Sequence, residues 1–232
     1  MKIKTAMILA AGFGKRLYPY TMNTPKPLIE VYNKTLLSYA IEMLESIGIK
    51  KIIINTHYKK NQINNYIRSN YKKSHIILKN EKILLDTGGG IKNIIKELDN
   101  NLLLVINSDM LWQKHNYHDL KNLIKNHNKE FKCSLLLSNI KKLYGIKKQI
   151  GDFKLQNKYI LRNYIYKKGL IYSGAQVIDI SVFRPIKGKI FSLNKVWDLL
   201  ISNKQITGIL MKSDLLHLGT LRGFKHLNKF KP

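Results

Sequence analysis

Through the first half of the chain, short apolar runs alternate with segments whose apolar residues recur at helical spacing. Residues 4–10, 51–55, 75–78 and 102–107 read as strands. The spacing predicts helices over 36–47, closed by Gly48, over 61–69 and over 91–98. Strand–helix–strand alternation of this kind predicts an α/β fold, with parallel strands joined by right-handed helical crossovers. Ligands of such sheets bind beyond the carboxyl ends of the strands. Residues 11–16 and 107–109 fall there.

After about residue 130 the pattern becomes mainly strand-like, with runs at 133–138, 153–155, 159–161 and 170–178. A helix over 193–201 follows, then short strands at 207–211 and 215–218 and a closing helix near 221–230. Neither an internal repeat nor a linker interrupts the pattern. The expectation is one domain over residues 1–232, in which residues from about 131 onward form the second wall of a cleft.

Composition changes this picture little. The chain has 232 residues, 44% of them hydrophobic, enough for a large core. Its one cysteine, Cys133, lies in an apolar run and reads as an inert core thiol. The apolar run near the N-terminus is brief and leads into a loop rich in Gly and Pro, so a buried strand is expected there rather than a signal peptide. No window approaches the ~20 apolar residues that span a bilayer, and the expectation is a soluble, cytoplasmic protein with no membrane partner. The net charge of +27 invites a nucleic-acid reading. Lysines are spread along the whole chain, however, together with abundant isoleucine and asparagine, which is a genome-wide codon bias rather than a binding patch. A positive field also steers phosphate substrates. No specific nucleic-acid partner is expected.

The chemistry concentrates after the first strand, in Leu9-Ala10-Ala11-Gly12-Phe13-Gly14-Lys15-Arg16, followed by Pro19, Thr21 and Pro25-Lys26-Pro27-Leu28. Glycines at this place let backbone N–H groups approach a phosphate chain. Arg16 offers a planar fork for phosphate oxygens and Lys26 a point charge, stiffened by the flanking prolines. The third glycine of a dinucleotide fingerprint is missing, and so is the Gly-Lys-Ser/Thr end of a P-loop. Asp109, just past a strand end, is placed either to hold Mg²⁺ together with substrate phosphates or to cap the next helix. Gly88–Gly90 suit either close backbone approach to a nucleotide ribose or base or a turn at a helix start. Asp152, Ser173 and Gly174 are candidates for holding a sugar or for turn roles, and Asn194 for a sugar contact or a helix cap. His115 and His118 have helical spacing without a third ligand, so no zinc site is expected.

These motifs together resemble the sugar-1-phosphate nucleotidyltransferase family over nearly the whole chain. Leu85-Asp-Thr-Gly-Gly-Gly90 resembles its nucleotide-binding loop, and Asn107-Ser-Asp109 its metal motif. Gly151-Asp-Phe153, Tyr172-Ser-Gly-Ala-Gln176, Phe191-Ser-Leu-Asn194 and Leu218-Gly-Thr220 resemble later motifs of the same branch. The resemblance implies a Rossmann-like three-layer domain with a mainly parallel mixed sheet, a nucleotide-binding half and a sugar-phosphate-binding half. It implies Mg²⁺-dependent joining of a nucleoside triphosphate to a sugar 1-phosphate, with release of pyrophosphate. Leu9, Ala10, Ala11, Gly12, Gly14, Arg16, Thr87, Gly88 and Gly89 are then expected at the nucleotide, and Asn107, Asp152, Ser173, Gly174 and Asn194 at the sugar phosphate. Arg16, Lys26 and Asp109 are expected to be catalytic.

The triple glycine resembles N-acetylmuramate-1-phosphate uridylyltransferases in particular. Mannose-1-phosphate guanylyltransferases, or a catalytically degenerate nucleotide-sugar-binding protein, are the alternatives. One position departs from the pattern: His217 stands where the family usually carries a second metal-ligating aspartate, and imidazole is a poor magnesium ligand. No β-helical acyltransferase extension is expected, and the assembly expected is a monomer or small homo-oligomer.

Overall fold

The computed structural model describes residues 3–71, 75–147, 150–164 and 169–231. Its centre is a mixed sheet of nine strands shared by both halves of the chain. In the first half, β1 (Thr5–Leu9) and α1 (Leu36–Ser46) flank a short hairpin of β2 (Glu30–Val31) and β3 (Lys34–Thr35). Next come β4 (Lys51–Thr56), α2 (Lys60–Asn70), β5 (Ile76–Asn80), α3 (Asp86–Asn93), β6 (Leu102–Asn107) and α4 (Tyr117–Asn126). The second half contributes β7 (Cys133–Asn139), β8 (Leu143–Tyr144), β9 (Phe153–Gln156), β10 (Tyr159–Arg162) and β11 (Leu170–Asp179). It closes with α5 (Leu193–Ser202), β12 (Ile206–Leu210), β13 (Leu215–Leu216) and α6 (Leu221–Phe224).

The sheet runs β10-β9-β11-β6-β1-β4-β5, with β7 lying against β11 and β12 against β7. Strands β6, β1, β4 and β5 are parallel neighbours, and Leu9 lies level with both Asn55 and Asn107. Three strand ends therefore share one edge. Antiparallel β11 joins the halves, pairing Ala175–Asp179 with β6 on one side and running along β7 on the other.

Period-two alternation builds the layers. On one face Ile8, Ile52, Ile54, Leu104 and Ile106 pack under α1, α2 and α4 through Leu37, Ile41, Ile63, Ile67 and Leu120. On the other, Met7, Ile53, Leu103 and Val105 pack under α3 and α5 through Ile91, Val196 and Leu200. Both faces are buried, which is why these strands are near-continuous apolar runs.

Besides the short strands β2, β3 and β8, which the sequence pattern does not predict, three elements differ from expectation. Helix α4 is an added element, with Leu120 and Leu123 on its buried face. The helix expected over 91–98 begins at Asp86 and ends at Asn93, with a 3₁₀ turn over Ile95–Glu97. Glycine's low helix propensity conceals that start. Tertiary contacts override it: the amides of Gly88 and Gly89 both donate to the Phe191 carbonyl, each at 3.0 Å. The closing helix is split into α6 and a 3₁₀ turn over Leu227–Phe230.

A methyl group at Gly89 would collide with the Lys189 carbonyl oxygen. In a helix, alanine would ordinarily gain about 1 kcal/mol over glycine. Overpacking against backbone costs about 1–3 kcal/mol and does not relax easily. Gly89→Ala should therefore lower the melting temperature by several degrees. A rise would mean that α3 and the 189–191 segment do not touch as described.

Candidate active site

The glycine loop starts from a pinned strand end. The Leu9 carbonyl accepts from the amide and hydroxyl of Ser108, at 3.3 and 2.7 Å. Ala10 N donates to Asn55 Oδ1 at 2.9 Å, and Asn55 Nδ2 donates to Glu81 Oε1 at 2.7 Å, all buried. The Ala11 carbonyl accepts from Tyr58 N. These contacts fix the backbone of Leu9–Ala11 and leave the next turn to face the cleft. Among the described residues, the amides of Gly12, Phe13 and Gly14 have no acceptor within the chain. Successive free amides of this sort make an anion-binding concavity.

Gly14 explains the spacing of the motif. Its φ of 69° belongs to the left-handed region that favours glycine. A Cβ there would lie 2.9 Å from Thr21 Cγ2 and 3.3 Å from Lys26 Cβ, and Thr21 Oγ1 donates to the Gly14 carbonyl at 2.9 Å. Gly14, Thr21 and Lys26 are thus one packing unit. It raises Lys26 from its 3₁₀ turn towards the end of β6.

There Lys26 Nζ meets Asp109 Oδ2 at 2.7 Å, and His217 Nε2 lies 3.4 Å from the same oxygen. Met110 and His217 form an antiparallel bridge, and Leu218 N donates to the Asp109 carbonyl at 2.7 Å. A Cβ on Gly219 would come within 2.5 Å of His217 Nε2 and 2.7 Å of Asp109 Oδ2, so only glycine fits beside the pair. Burial opposes ionisation of Asp109, but the Lys26 ammonium and the His217 ring outweigh it and hold the carboxyl well below its usual range. Asp109 Oδ1 and His217 Nδ1 are both buried without a hydrogen-bond partner. Among the described residues no three His, Cys, Asp or Glu side chains cluster as a metal cage.

A cleft of about 640 Å³ opens beside this triad. Of the residues singled out from sequence, Arg16, Thr87, Asn107, Asp152, Asn194 and His217 line it. It adjoins a second hollow of about 930 Å³ through Lys147, Asp152, Arg162 and Asn194.

Other expected residues are placed differently. Ser173 is fully buried and its Oγ donates to the Leu136 carbonyl, so Tyr172, not Ser173, presents its side chain to the cleft. Gly174, with φ 81°, is covered by Met110 at a bulge in β11. Gly88 lies under the Phe191 ring and Gly89 against the Lys189 backbone; both have their amides committed, so the role the geometry gives them is packing α3. Ser192 is the cap of α5, and Asn194 Oδ1 instead accepts from Arg162 Nη2 at 2.9 Å. Thr87 Oγ1 accepts from Leu193 N, tying the two loops together.

Asp86, Lys147, Arg162, Tyr172 and Trp197 also line the cleft. Strand alternation through 172–174 could have singled out Tyr172, and helical spacing from Asn194 could have found Trp197. Arg162 carries no such signal.

Removing one partner from a buried ion pair leaves an uncompensated charge and costs about 3–5 kcal/mol. Lys26→Met should therefore destabilise the fold by roughly that amount, discounted for the 16% exposure of its side chain. A depressed folded-state pKa stabilises above the unfolded carboxyl value and loses that contribution as pH falls through the folded value. The gap between wild type and Lys26→Met in urea unfolding should accordingly narrow as pH drops below about 4. A gap independent of pH would mean that Lys26 does not stabilise the carboxylate.

The Nucleotidyl transferase family pattern matches residues 5–148, more than half of the chain. The N-acetylmuramate alpha-1-phosphate uridylyltransferase of Caulobacter vibrioides is 26% identical over 93% of this chain and 92% of its own length. The catalytic subunit beta of mannose-1-phosphate guanylyltransferase from Dictyostelium discoideum is 25% identical over 94% of this chain, which spans 62% of that longer protein. Among solved structures, HddC from Yersinia pseudotuberculosis in complex with GMP-PN superposes with a TM-score of 0.78 at 22% identity, over 99% of this chain and all of that one. The chain belongs to the Nucleotidyl transferase family.

Proposed function

We propose that the protein transfers a uridylyl group from UTP to N-acetylmuramate 1-phosphate, releasing pyrophosphate. The observation that carries the reaction is the meeting of Lys26, Asp109 and His217 beside the free amides of Gly12–Gly14. Those amides and Arg16 hold the triphosphate. Lys26 aligns the sugar phosphate. A phosphate monoester is already anionic at neutral pH, so its oxygen attacks the α-phosphorus without a general base. The new P–O bond forms as the bond to the β-phosphate oxygen breaks, and pyrophosphate leaves with that electron pair. Catalysis rests on positioning and charge neutralisation.

The donor set fits Mg²⁺ carried in by the nucleotide. Asp109 offers one carboxylate whose Oδ1 is a buried oxygen without a partner, and Mg²⁺ commonly takes one or two carboxylates with substrate phosphates supplying the rest. When bound there, Mg²⁺ would neutralise developing charge on the phosphates. His217, an imidazole, adds no oxygen donor and serves as a hydrogen-bonding partner of Asp109 in this reading.

Similarity to the Caulobacter uridylyltransferase over more than nine-tenths of each protein supports the choice of substrates. Guanylyl transfer to mannose 1-phosphate is the second reading, supported by the guanylyltransferase relatives.

The test is pyrophosphate release by purified protein with Mg²⁺, across UTP, GTP, dTTP, CTP and ATP paired with the 1-phosphates of N-acetylmuramate, mannose and glucose. Release with UTP and N-acetylmuramate 1-phosphate, yielding the matching nucleotide-sugar, is expected. GTP with mannose 1-phosphate as the preferred pair would replace it with the second reading. Asp109→Ala should lower turnover at least about 10²–10³-fold while the protein stays folded. A near-normal rate would remove Asp109 from the reaction.

A further inference from the structure

Arg162 ends β10 and reaches across the mouth of the cleft to α5. Nothing in its sequence context marks it, yet it is the most firmly held cation on that wall. Its guanidinium carbon lies 4.9 Å from the centroid of the Phe153 ring and 6.0 Å from that of Trp197. Nε donates to Asp198 Oδ1 at 2.7 Å, and Nη2 donates to Asn194 Oδ1 at 2.9 Å and to the Asn194 carbonyl at 3.4 Å. Asn194 and Asp198 are four residues apart, so one face of α5 grips one side of the fork. Among the described residues Nη1 has no hydrogen-bond partner, and Arg162 lines both the cleft and the adjoining hollow.

The charge balance at this wall matters. Asp198, the counter-ion of Arg162, is 59% exposed against 18% for the arginine side chain, so its neutralising effect is screened by solvent. Asp152 on the same wall already has a partner of its own. Lys147 also lines both hollows and, among the described residues, pairs with no carboxylate. The wall therefore presents a preorganised guanidinium edge and a free ammonium, separate from the Lys26–Asp109 triad. With Nε and Nη2 anchored, Nη1 is left to donate a charge-assisted hydrogen bond to a carboxylate, and the ordering entropy of the side chain is spent before the ligand arrives.

We propose that Arg162, assisted by Lys147, binds an anionic substituent of the sugar, so that the acceptor class is acidic sugar 1-phosphates. Arg162 is then a specificity-determining residue, and Asn194 and Asp198 are its positioning residues. The inference rests on the sugar-nucleotidyltransferase reading above but not on the identity of the base.

N-acetylmuramate 1-phosphate and N-acetylglucosamine 1-phosphate differ only in the lactyl ether that gives the first a carboxylate, and they serve as the paired probes. With UTP and Mg²⁺, wild type should favour the acidic acceptor at least about tenfold in kcat/KM. Arg162→Gln should bring that ratio to within about threefold of unity, and Arg162→Lys, which keeps the charge but loses the fork, should give an intermediate ratio. A purely structural strut would lower both acceptors equally and leave the ratio unchanged. That result, or no preference in wild type, would overturn the proposal. Equilibrium binding of the same two probes separates this proposal from the reaction itself. If no pair releases pyrophosphate, a binding preference that Arg162→Gln abolishes still upholds the site, and equal affinities overturn it.

Discussion

A carboxylate sealed inside the protein must be paired, and Asp109 is paired by groups drawn from distant parts of the chain. Lys26 comes from the loop after β1, 83 residues away in sequence, and His217 from the segment after β13. Neither partner reaches Asp109 unless several elements are in place. The Gly14–Thr21–Lys26 packing must lift the lysine, β6 must end at Asn107, and the bridge between Met110 and His217 must bring the last segment across the strand end. The ion pair is a weak source of net stability for its burial. Its importance lies in bringing the free amides of Gly12–Gly14, a carboxylate and a lysine to the same edge of the sheet.

The cleft follows from the topology. Parallel β1, β4 and β6 end level with one another, and β11 returns antiparallel beside β6, carrying Tyr172 to the far wall. Helix α3 and the segment leading into α5 close the floor through the Phe191 carbonyl and the Thr87 hydroxyl. The glycine loop and the wall that carries Tyr172 and Arg162 are thus attached to one sheet, which fixes the spacing of their charged groups; the proposed reaction, which rests on positioning, requires such a frame.

Much of this was legible in the residues. Alternating apolar runs placed the parallel strands, and the Gly-x-Gly, Arg16 and Lys26 spacing marked the loop whose packing the Gly14 contacts explain. Elsewhere tertiary contact outweighs local signal. The triple glycine suits a nucleotide loop or a helix start, and its missing side chains admit Phe191 and the Lys189 backbone. Ser173 was singled out one residue away from Tyr172, and in a strand one residue means the opposite face. Arg162 was invisible because its significance lies in Asn194 and Asp198, which only folding brings within reach. His217 read as an anomaly in a metal site and is found as a partner of Asp109.

In the proposed reaction Asp109 gives its carboxylate to a cation that arrives with the nucleotide. Electron paramagnetic resonance of Mn²⁺, titrated into protein with and without UTP, tests this without requiring turnover. Wild type should take up Mn²⁺ far more tightly when UTP is present, and Asp109→Asn should lose that uptake. Equal Mn²⁺ binding by Asp109→Asn and wild type in the presence of UTP would contradict the assignment.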